Sequence, residues 1–206
     1  MTSARNQTVR GQALQDLADL AHACTNCHLY EDATQTVFGA GPVSARLILV
    51  GEQPGDEEDK EGEPFVGPAG RLLRSSLDEA GISSDEVYFT NVVKHFKWKS
   101  GSGWRRLHEK PNRYEVEACR PWLEGELQLL RPRLIVGLGA TACQAMLGSS
   151  IRVLSDRGKV FDWGERRVMV TVHPSSILRS PDEEAREQNR KAFVADLVKA
   201  RKFAEA

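Results

Sequence analysis

The stretch RLILVGEQPG, residues 46–55, decides the fold. Residues 47–50 are all apolar, and such an uninterrupted run is typical of a strand that is buried on both faces. The run leads into a loop that contains glycine and proline, which are the usual turn formers. We therefore expect a buried strand whose carboxyl end opens into a polar loop.

Three further segments have the same character as this strand: VYFTNVV (87–93), LIVGLG (134–139) and VMVTV (168–172). Helical patterns separate the strands, at 8–23, 67–81 and from Asn112 onward, where Asn112 and Glu115 form a capping-box pattern. Short buried strands that alternate with helices predict a three-layer α/β/α fold with a central, mainly parallel, four-stranded sheet. The chain is long enough for one complete core, so we expect residues 1–206 to form a single domain.

Charge is unevenly distributed along the chain, although the formal net charge is only −1. Residues 52–63 contain seven acidic side chains and one lysine, and most of this run is expected to be a solvated loop. Residues 94–113 contain seven Lys or Arg and one acid, which favours a local contact with phosphates. The N-terminal segment lacks the apolar core of a secretory signal, and no apolar run approaches the about 20 residues of a membrane span. We expect a cytoplasmic protein without membrane contact.

Polar residues follow three of the predicted strands, at 52–55, at Asn91 and at 173–176. The carboxyl ends of parallel strands meet at one edge of a sheet, and ligands bind there. These clusters are far apart in the chain, yet the topology brings them together. The sequence therefore predicts a functional site at this edge.

The pair CTNC, residues 24–27, has three interpretations: a redox pair, half of a zinc site or half of an iron–sulfur site. The pair follows a predicted helix rather than a strand, which argues against a thioredoxin-like redox motif. A metal needs two more ligands, and Cys119 is one candidate. Cys143 lies in an apolar, alanine-rich helix, where a buried inert thiol is expected. The fourth ligand stays open, and a nearby histidine is a candidate.

The basic segment GWRRLHEKPN, residues 103–112, has His108 in its middle. From the residues alone, His108 is either a solvated polar contact or a reactive group. The preceding KSGSGW, residues 99–104, predicts a flexible loop, and Trp104 is a candidate for stacking on an unpaired base.

The chain resembles the iron–sulfur uracil-DNA glycosylases in five ordered segments: GEQPG (51–55), EPFVGPAGRLL (63–73), TNVVKH (90–95), ACRPWL (118–123) and HPSSILR (173–179). It departs from the ordinary members in three ways, since they have GEAPG in the first segment, a cysteine after TNVVK and no loop of the Arg-Arg-x-His type. In all three respects the chain resembles the UdgX subgroup, whose members attach themselves covalently to uracil-containing DNA.

This resemblance implies a [4Fe–4S] cluster held by Cys24, Cys27, His95 and Cys119. We expect the cluster to be structural, because His95 and Cys119 bracket residues 96–118 and would fasten the base of the segment that carries His108.

The resemblance also implies roles around the base. Asn91 would read O4 and N3–H of uracil, Phe65 would stack on the ring, and His173 would donate a hydrogen bond to O2. Three more residues are expected to line the pocket: Gln53, Gly55 and Asp56. Gln53 is counted among the catalytic residues as well.

At the sugar, the resemblance makes His108 the nucleophile that bonds to C1′, with Glu52 orienting its imidazole. Six residues are expected to contact DNA: Lys94, Arg105, Arg106, Ser175, Ser176 and Arg179. The implied function is excision of uracil with a stable covalent adduct on His108, by a monomer that acts on single-stranded or also double-stranded DNA. Two alternatives remain, namely a turnover glycosylase that uses water and a non-catalytic iron–sulfur module that binds single-stranded DNA.

Overall fold

The structure is a computed structural model that describes residues 2–103 and 105–206, with side chains from residue 7 onward in those ranges. Trp104, the candidate for base stacking, lies outside the described residues.

The strands are β1 (Leu47–Gly51), β2 (Val87–Asn91), β3 (Trp98–Ser100), β4 (Arg106–His108), β5 (Leu134–Leu138), β6 (Val160–Trp163) and β7 (Arg166–Thr171). The helices are α1 (Thr2–His22), α2 (Leu29–Asp32), α3 (Asp56–Glu61), α4 (Pro68–Glu79), α5 (Arg113–Leu130), α6 (Ala140–Leu147), α7 (Val153–Asp156), α8 (Pro174–Leu178) and α9 (Glu183–Glu205), with a 3₁₀ turn at Ser84–Glu86.

Five of the described strands form one sheet in the order β2-β1-β5-β7-β6. The first four are parallel and β6 is antiparallel to β7, which confirms a mainly parallel sheet. The predicted number of four strands is wrong. The fifth strand, β6, escaped prediction because its side chains alternate between exposed and half-buried and form no apolar run. It joins β7 through a tight turn at Gly164, which has a φ of 60°.

Helices cover both faces of the sheet, because alternate residues of each strand point to opposite sides. Leu49 of β1 packs in one cluster with Leu77 of α4 and Leu197 of α9. Its neighbour Ile48 packs on the other face, in a cluster with Leu127 of α5. The three-layer α/β/α arrangement is therefore confirmed. Among the helices that the structure describes, none is long and apolar enough to cross a membrane.

The first residues of the segment 99–104, which was predicted to be a flexible loop, lie in β3, and β3 pairs with β4 in an antiparallel hairpin. Trp98 pairs with His108, and the Gly101 N–H donates to the Arg105 carbonyl at 2.9 Å. At the base of this hairpin, Asn112 begins α5 with the predicted capping box, since its side chain accepts from the Glu115 N–H at 3.0 Å. His108 therefore lies on a paired strand.

Candidate active site

The carboxyl end of β1 is the centre of the site. A Cβ on Gly51 would lie 2.3 Å from Asn91 Oδ1 and 2.8 Å from the tip of the Phe65 ring, so only glycine fits there. This contact shows that Asn91, at the end of β2, and Phe65 meet above the end of β1, as predicted. The Asn91 side chain is buried, yet its amide has no hydrogen-bond partner among the described residues.

Phe65 adopts the left-handed backbone conformation, with a φ of 59°. Such a conformation costs about 1–3 kcal/mol in a non-glycine residue and is found mainly at functional sites. Gly70 of α4 makes room for it, because a Cβ there would lie 1.9 Å from the Phe65 carbonyl oxygen. The Phe65 ring is stacked with the His173 ring, with centroids 6.3 Å apart. Phe65 and His173 therefore form one wall of the site.

Glu58 fastens two loops of the site together, a role that the sequence analysis missed. Its Oε2 accepts the Gly55 N–H at 3.1 Å, and its Oε1 accepts the Gly67 N–H at 3.0 Å. The acidic run was expected to be a solvated loop, but residues 56–61 form α3, in which Glu58 and Asp59 are buried. The Gly55 amide, predicted to line the pocket, is bound by Glu58.

His173 follows β7 and caps α8. The Ser175 backbone N–H donates to His173 Nδ1 at 3.2 Å, so Nδ1 is the acceptor and Nε2 carries the proton. Burial, together with the nearby Arg179 and His108, lowers the pKa of His173 to about 4. At neutral pH, His173 is therefore a neutral imidazole whose Nε2–H is a hydrogen-bond donor.

Glu52 and His108 form the predicted pair. His108 Nε2 lies 3.3 Å from Glu52 Oε1, and about half of the His108 side chain is exposed. The other carboxylate oxygen of Glu52 accepts a hydrogen bond from the Thr141 hydroxyl. Thr141, in the first turn of α6, was missed because nothing near it in the sequence identifies its partner.

Gln53 has a structural role that the sequence does not predict. Its amide nitrogen donates to the carbonyls of Lys97 at 3.1 Å and Glu109 at 3.0 Å, and its oxygen accepts the Lys97 N–H at 3.2 Å. Both amide hydrogens are thereby used within the protein, and the predicted role of Gln53 at the pocket stays a prediction. Gln53 joins the two ends of the hairpin beside His108.

Arg106 was predicted to contact DNA, and its position contradicts this. Its guanidinium binds Asp56 and Asp59, both at 2.6 Å, and the side chain is largely buried. Asp59 is fully buried and also accepts the Thr34 N–H at 3.0 Å. Asp56, predicted to bind substrate, is therefore an anchor of the hairpin. Arg106 fastens β4 to α3 two residues before His108.

Lys94 does not reach DNA either. It is 1% exposed, and its ammonium lies 2.6 Å from Glu126 Oε2. The same ammonium donates to the Asn91 carbonyl at 3.0 Å. This burial contradicts the predicted phosphate contact and makes Lys94 an internal support of the strand end that presents Asn91.

The remaining predicted DNA contacts lie at the surface or at its edge. Arg105 and Arg179 are exposed and have no ion-pair partner within the described part of the chain. The Ser176 hydroxyl donates to the His173 carbonyl at 2.7 Å, and the Ser175 hydroxyl lies 2.8 Å from His173 Nδ1. Contact of these residues with DNA stays a prediction.

Three of the predicted cluster ligands, Cys24, Cys27 and Cys119, are free thiols. Backbone and indole N–H groups point at two of the sulfurs, from Lys94 to Cys119 at 3.2 Å and from Trp122 to Cys24 at 3.1 Å. Burial, together with the nearby Cys24 and Cys27, raises the pKa of Cys119 to about 12. The three sulfurs therefore share one environment, and the N–H···S bonds suit thiolate ligands.

His95, the predicted fourth ligand, is held by Thr36. The Thr36 hydroxyl donates to the Ala21 carbonyl at 3.1 Å and lies 2.9 Å from His95 Nε2. A hydroxyl has one proton, so His95 Nε2–H is the donor and Nδ1 retains the lone pair that a metal would need. Burial lowers the pKa of His95, which favours the neutral ring. In the described residues, no group of three or more His, Cys, Asp or Glu is arranged to hold a metal ion, so the ligand set stays a prediction.

Cys143 is unlike the other cysteines. It is fully buried on α6, and its thiol donates to the Gly137 carbonyl at 3.2 Å. Burial raises its pKa to about 12. The expected buried thiol is confirmed.

Comparison with known proteins identifies the family. Residues 38–198 match the model of the Uracil DNA glycosylase superfamily. A Type-4 uracil-DNA glycosylase of Thermotoga maritima is 36% identical over 196 residues, which cover 94% of this chain and 96% of that protein. The Type-4 enzyme of Pyrobaculum aerophilum is 37% identical over 176 residues, covering 82% and 86%. That of Archaeoglobus fulgidus is 33% identical over 197 residues, covering 91% and 92%.

Proposed function

Because this chain belongs to the uracil-DNA glycosylase superfamily, we propose that it excises uracil from DNA and then bonds covalently, through His108, to C1′ of the sugar. The observation that carries the proposal is the pairing of His108 with Glu52, at 3.3 Å, beside the pocket of Phe65, Asn91 and His173.

The pocket suits an extruded uracil. The Asn91 amide supplies one donor and one acceptor, which match O4 and N3–H of uracil. Cytosine presents the opposite pattern, with a donor at its exocyclic amine and an acceptor at N3. Its insertion would leave a buried amide mismatched, which is the strongest kind of discrimination that a hydrogen-bonding site provides. The Phe65 ring offers the stacking surface.

The departing base becomes an anion, and His173 is suited to stabilise it. Its neutral ring carries the proton on Nε2, because Ser175 donates to the opposite nitrogen. A fixed donor aimed at a developing negative charge is worth about 3–4 kcal/mol in comparable sites. His173 therefore lowers the barrier to breakage of the C1′–N1 bond, whose electron pair leaves with uracil.

His108 then captures the sugar carbon. Glu52 faces one ring nitrogen, so the lone pair lies on the other, and that pair forms the bond to C1′. The proton of the ring passes to Glu52, which leaves a neutral imidazole on the sugar. Imidazole is a poorer leaving group than the uracil anion when no acid assists it, so the adduct persists and one protein is consumed for each uracil.

The hairpin places His108 for this step before DNA binds. Gln53 joins the two hairpin ends, and Arg106 fastens β4 to Asp56 and Asp59. A reactive group that is already positioned does not have to lose conformational freedom in the transition state. This anchoring supports capture by His108 over capture by water.

We further propose a [4Fe–4S] cluster on Cys24, Cys27, His95 and Cys119. The chemistry of the donors supports this proposal, since three thiols share one environment and Thr36 leaves the lone pair of His95 Nδ1 available. The cluster would cross-link the N-terminal segment to both ends of the hairpin region and would take no part in the chemistry. Bound iron and acid-labile sulfide, with broad absorption near roughly 400 nm, test this independently of activity.

The proposed partner is uracil-containing DNA. Single-stranded DNA is proposed as the preferred substrate, and double-stranded DNA as an additional one. The protein is proposed to act as a monomer in the cytoplasm. A turnover enzyme is the competing function, because the half-exposed His108 leaves a path for water to C1′.

The test is a labelled single-stranded oligonucleotide with one uracil, incubated with excess protein and separated on a denaturing gel after boiling. A slower band that is absent with a thymine oligonucleotide supports the covalent adduct. Free oligonucleotide that breaks in alkali would show turnover by water, and intact oligonucleotide would show that no base is excised.

A further inference from the structure

Three side chains lie in series at the sugar side of the site: the Thr141 hydroxyl hydrogen-bonds one oxygen of Glu52, and the other oxygen of Glu52 lies within ion-pair distance of His108 Nε2. The resemblance gives roles to Glu52 and His108 but none to Thr141. Within the described residues, the Thr141 hydroxyl hydrogen-bonds Glu52 and neither His108 nor a base-reading side chain, so we expect it to act on the chemistry through Glu52.

The fold explains why Thr141 lies there. Strands β1 and β5 are parallel neighbours, with Val50 opposite Gly137, so the residues that follow them emerge side by side. Gly139 makes the turn into α6 with a φ of 88°, and a Cβ there would lie 2.9 Å from His173 Cβ. The first turn of α6 is thus packed against the site, and Thr141 is almost fully buried in it.

We propose that Thr141 is a positioning residue that sets the partition between capture of the sugar by His108 and capture by water. This inference rests on the proposed function. A carboxylate can rotate and present either oxygen, and the Thr141 hydroxyl fixes one of them. Glu52 then holds the His108 ring in one orientation and one tautomer. Without the hydroxyl, the ring loses that restraint while the base-reading groups keep theirs.

The test replaces Thr141 by valine, which has the same shape, and by serine, which retains the hydroxyl. A single-turnover assay measures the ratio of covalent adduct to free abasic DNA. We expect Thr141→Val to lower this ratio about tenfold, as for loss of one hydrogen bond to a charged group, and Thr141→Ser to restore it. Thr8→Val, on α1, is the matched control and should leave the ratio unchanged. Where the valine variant does not fold, Thr141→Ala removes the hydroxyl without adding bulk.

The Thr141→Val substitution made in a His108→Ala protein shows whether Thr141 acts by positioning His108 or by a general effect on uracil excision. If Thr141 acts through His108, Thr141→Val should not alter the rate of uracil release once His108 is absent. An equal loss of uracil release in both backgrounds would overturn the assignment, and so would an unchanged adduct ratio in Thr141→Val. Failure of the proposed function is distinguishable, because the wild-type protein would then give no adduct at all, and the inference would fail with it.

Discussion

The His108 imidazole lies 3.3 Å from the Glu52 carboxylate, although His108 is on a hairpin outside the main sheet and Glu52 directly follows β1 of that sheet. The hairpin is held in this position by buried polar contacts rather than by an apolar core. The hairpin, the pocket and the proposed cluster can therefore be tested by separate substitutions.

The two neighbouring arginines of the hairpin should have different effects. Arg106→Gln should lower the ratio of covalent adduct to free abasic DNA about tenfold, because it releases β4 from Asp56 and Asp59. Arg105→Gln, the matched control at an exposed site, should keep that ratio. It should weaken DNA binding and lower the number of counterions released on binding by about one. This number is obtained by measuring the binding constant at several salt concentrations. An equal fall of the adduct ratio in both variants would contradict the anchoring role.

His173 should make stability depend on pH. Its pKa is about 4 in the folded protein, against about 6.5 for an unperturbed histidine. Between these values the unfolded chain binds more protons, so the free energy of unfolding falls as the pH is lowered from about 6.5 to 4, by at most about 3 kcal/mol. Urea unfolding at several pH values measures this slope. His173→Gln should flatten it, and an unchanged slope in that variant would exclude His173 as its source.

Lys94 should matter for stability rather than for DNA contact. Lys94→Met leaves Glu126 charged and unpaired in the interior, so the free energy of unfolding should fall by about 3–5 kcal/mol. Lys191→Met, which removes an exposed partner of Glu187, should change it by less than about 1 kcal/mol. The double variant Lys94→Met with Glu126→Gln should recover part of the loss. A stable Lys94→Met protein with weakened DNA binding would restore the phosphate-contact interpretation.

Two buried cysteines provide a matched pair for the proposed cluster. Cys119→Ala should lose iron and sulfide, because it removes a ligand, whereas Cys143→Ala should keep both. Iron and sulfide analysis of the purified variants measures this without reference to activity. Full iron content in Cys119→Ala, or equal loss in both variants, would contradict the ligand set.

The sequence predicts the apolar strands and the ends at which the pocket forms, because these features depend on local patterns. Asn91, Phe65 and His173 follow from those ends and from the family resemblance. Ion pairs between side chains that are distant in the sequence cannot be predicted in this way. Arg106 and Lys94 look like phosphate contacts in a basic segment, but each pairs with an acid that only the tertiary structure brings near. Likewise β6 has no apolar run, since one edge of a sheet needs only partial burial.

The most direct test of the central claim is peptide mapping of the adduct by mass spectrometry. The wild-type protein is incubated with the uracil oligonucleotide and then digested with a protease and a nuclease, so that any adduct leaves a sugar-phosphate on one peptide. The account predicts that fragment ions place this added mass on His108, and that His108→Ala releases uracil without any modified peptide. An added mass on another residue, or an adduct that persists in His108→Ala, would contradict the account.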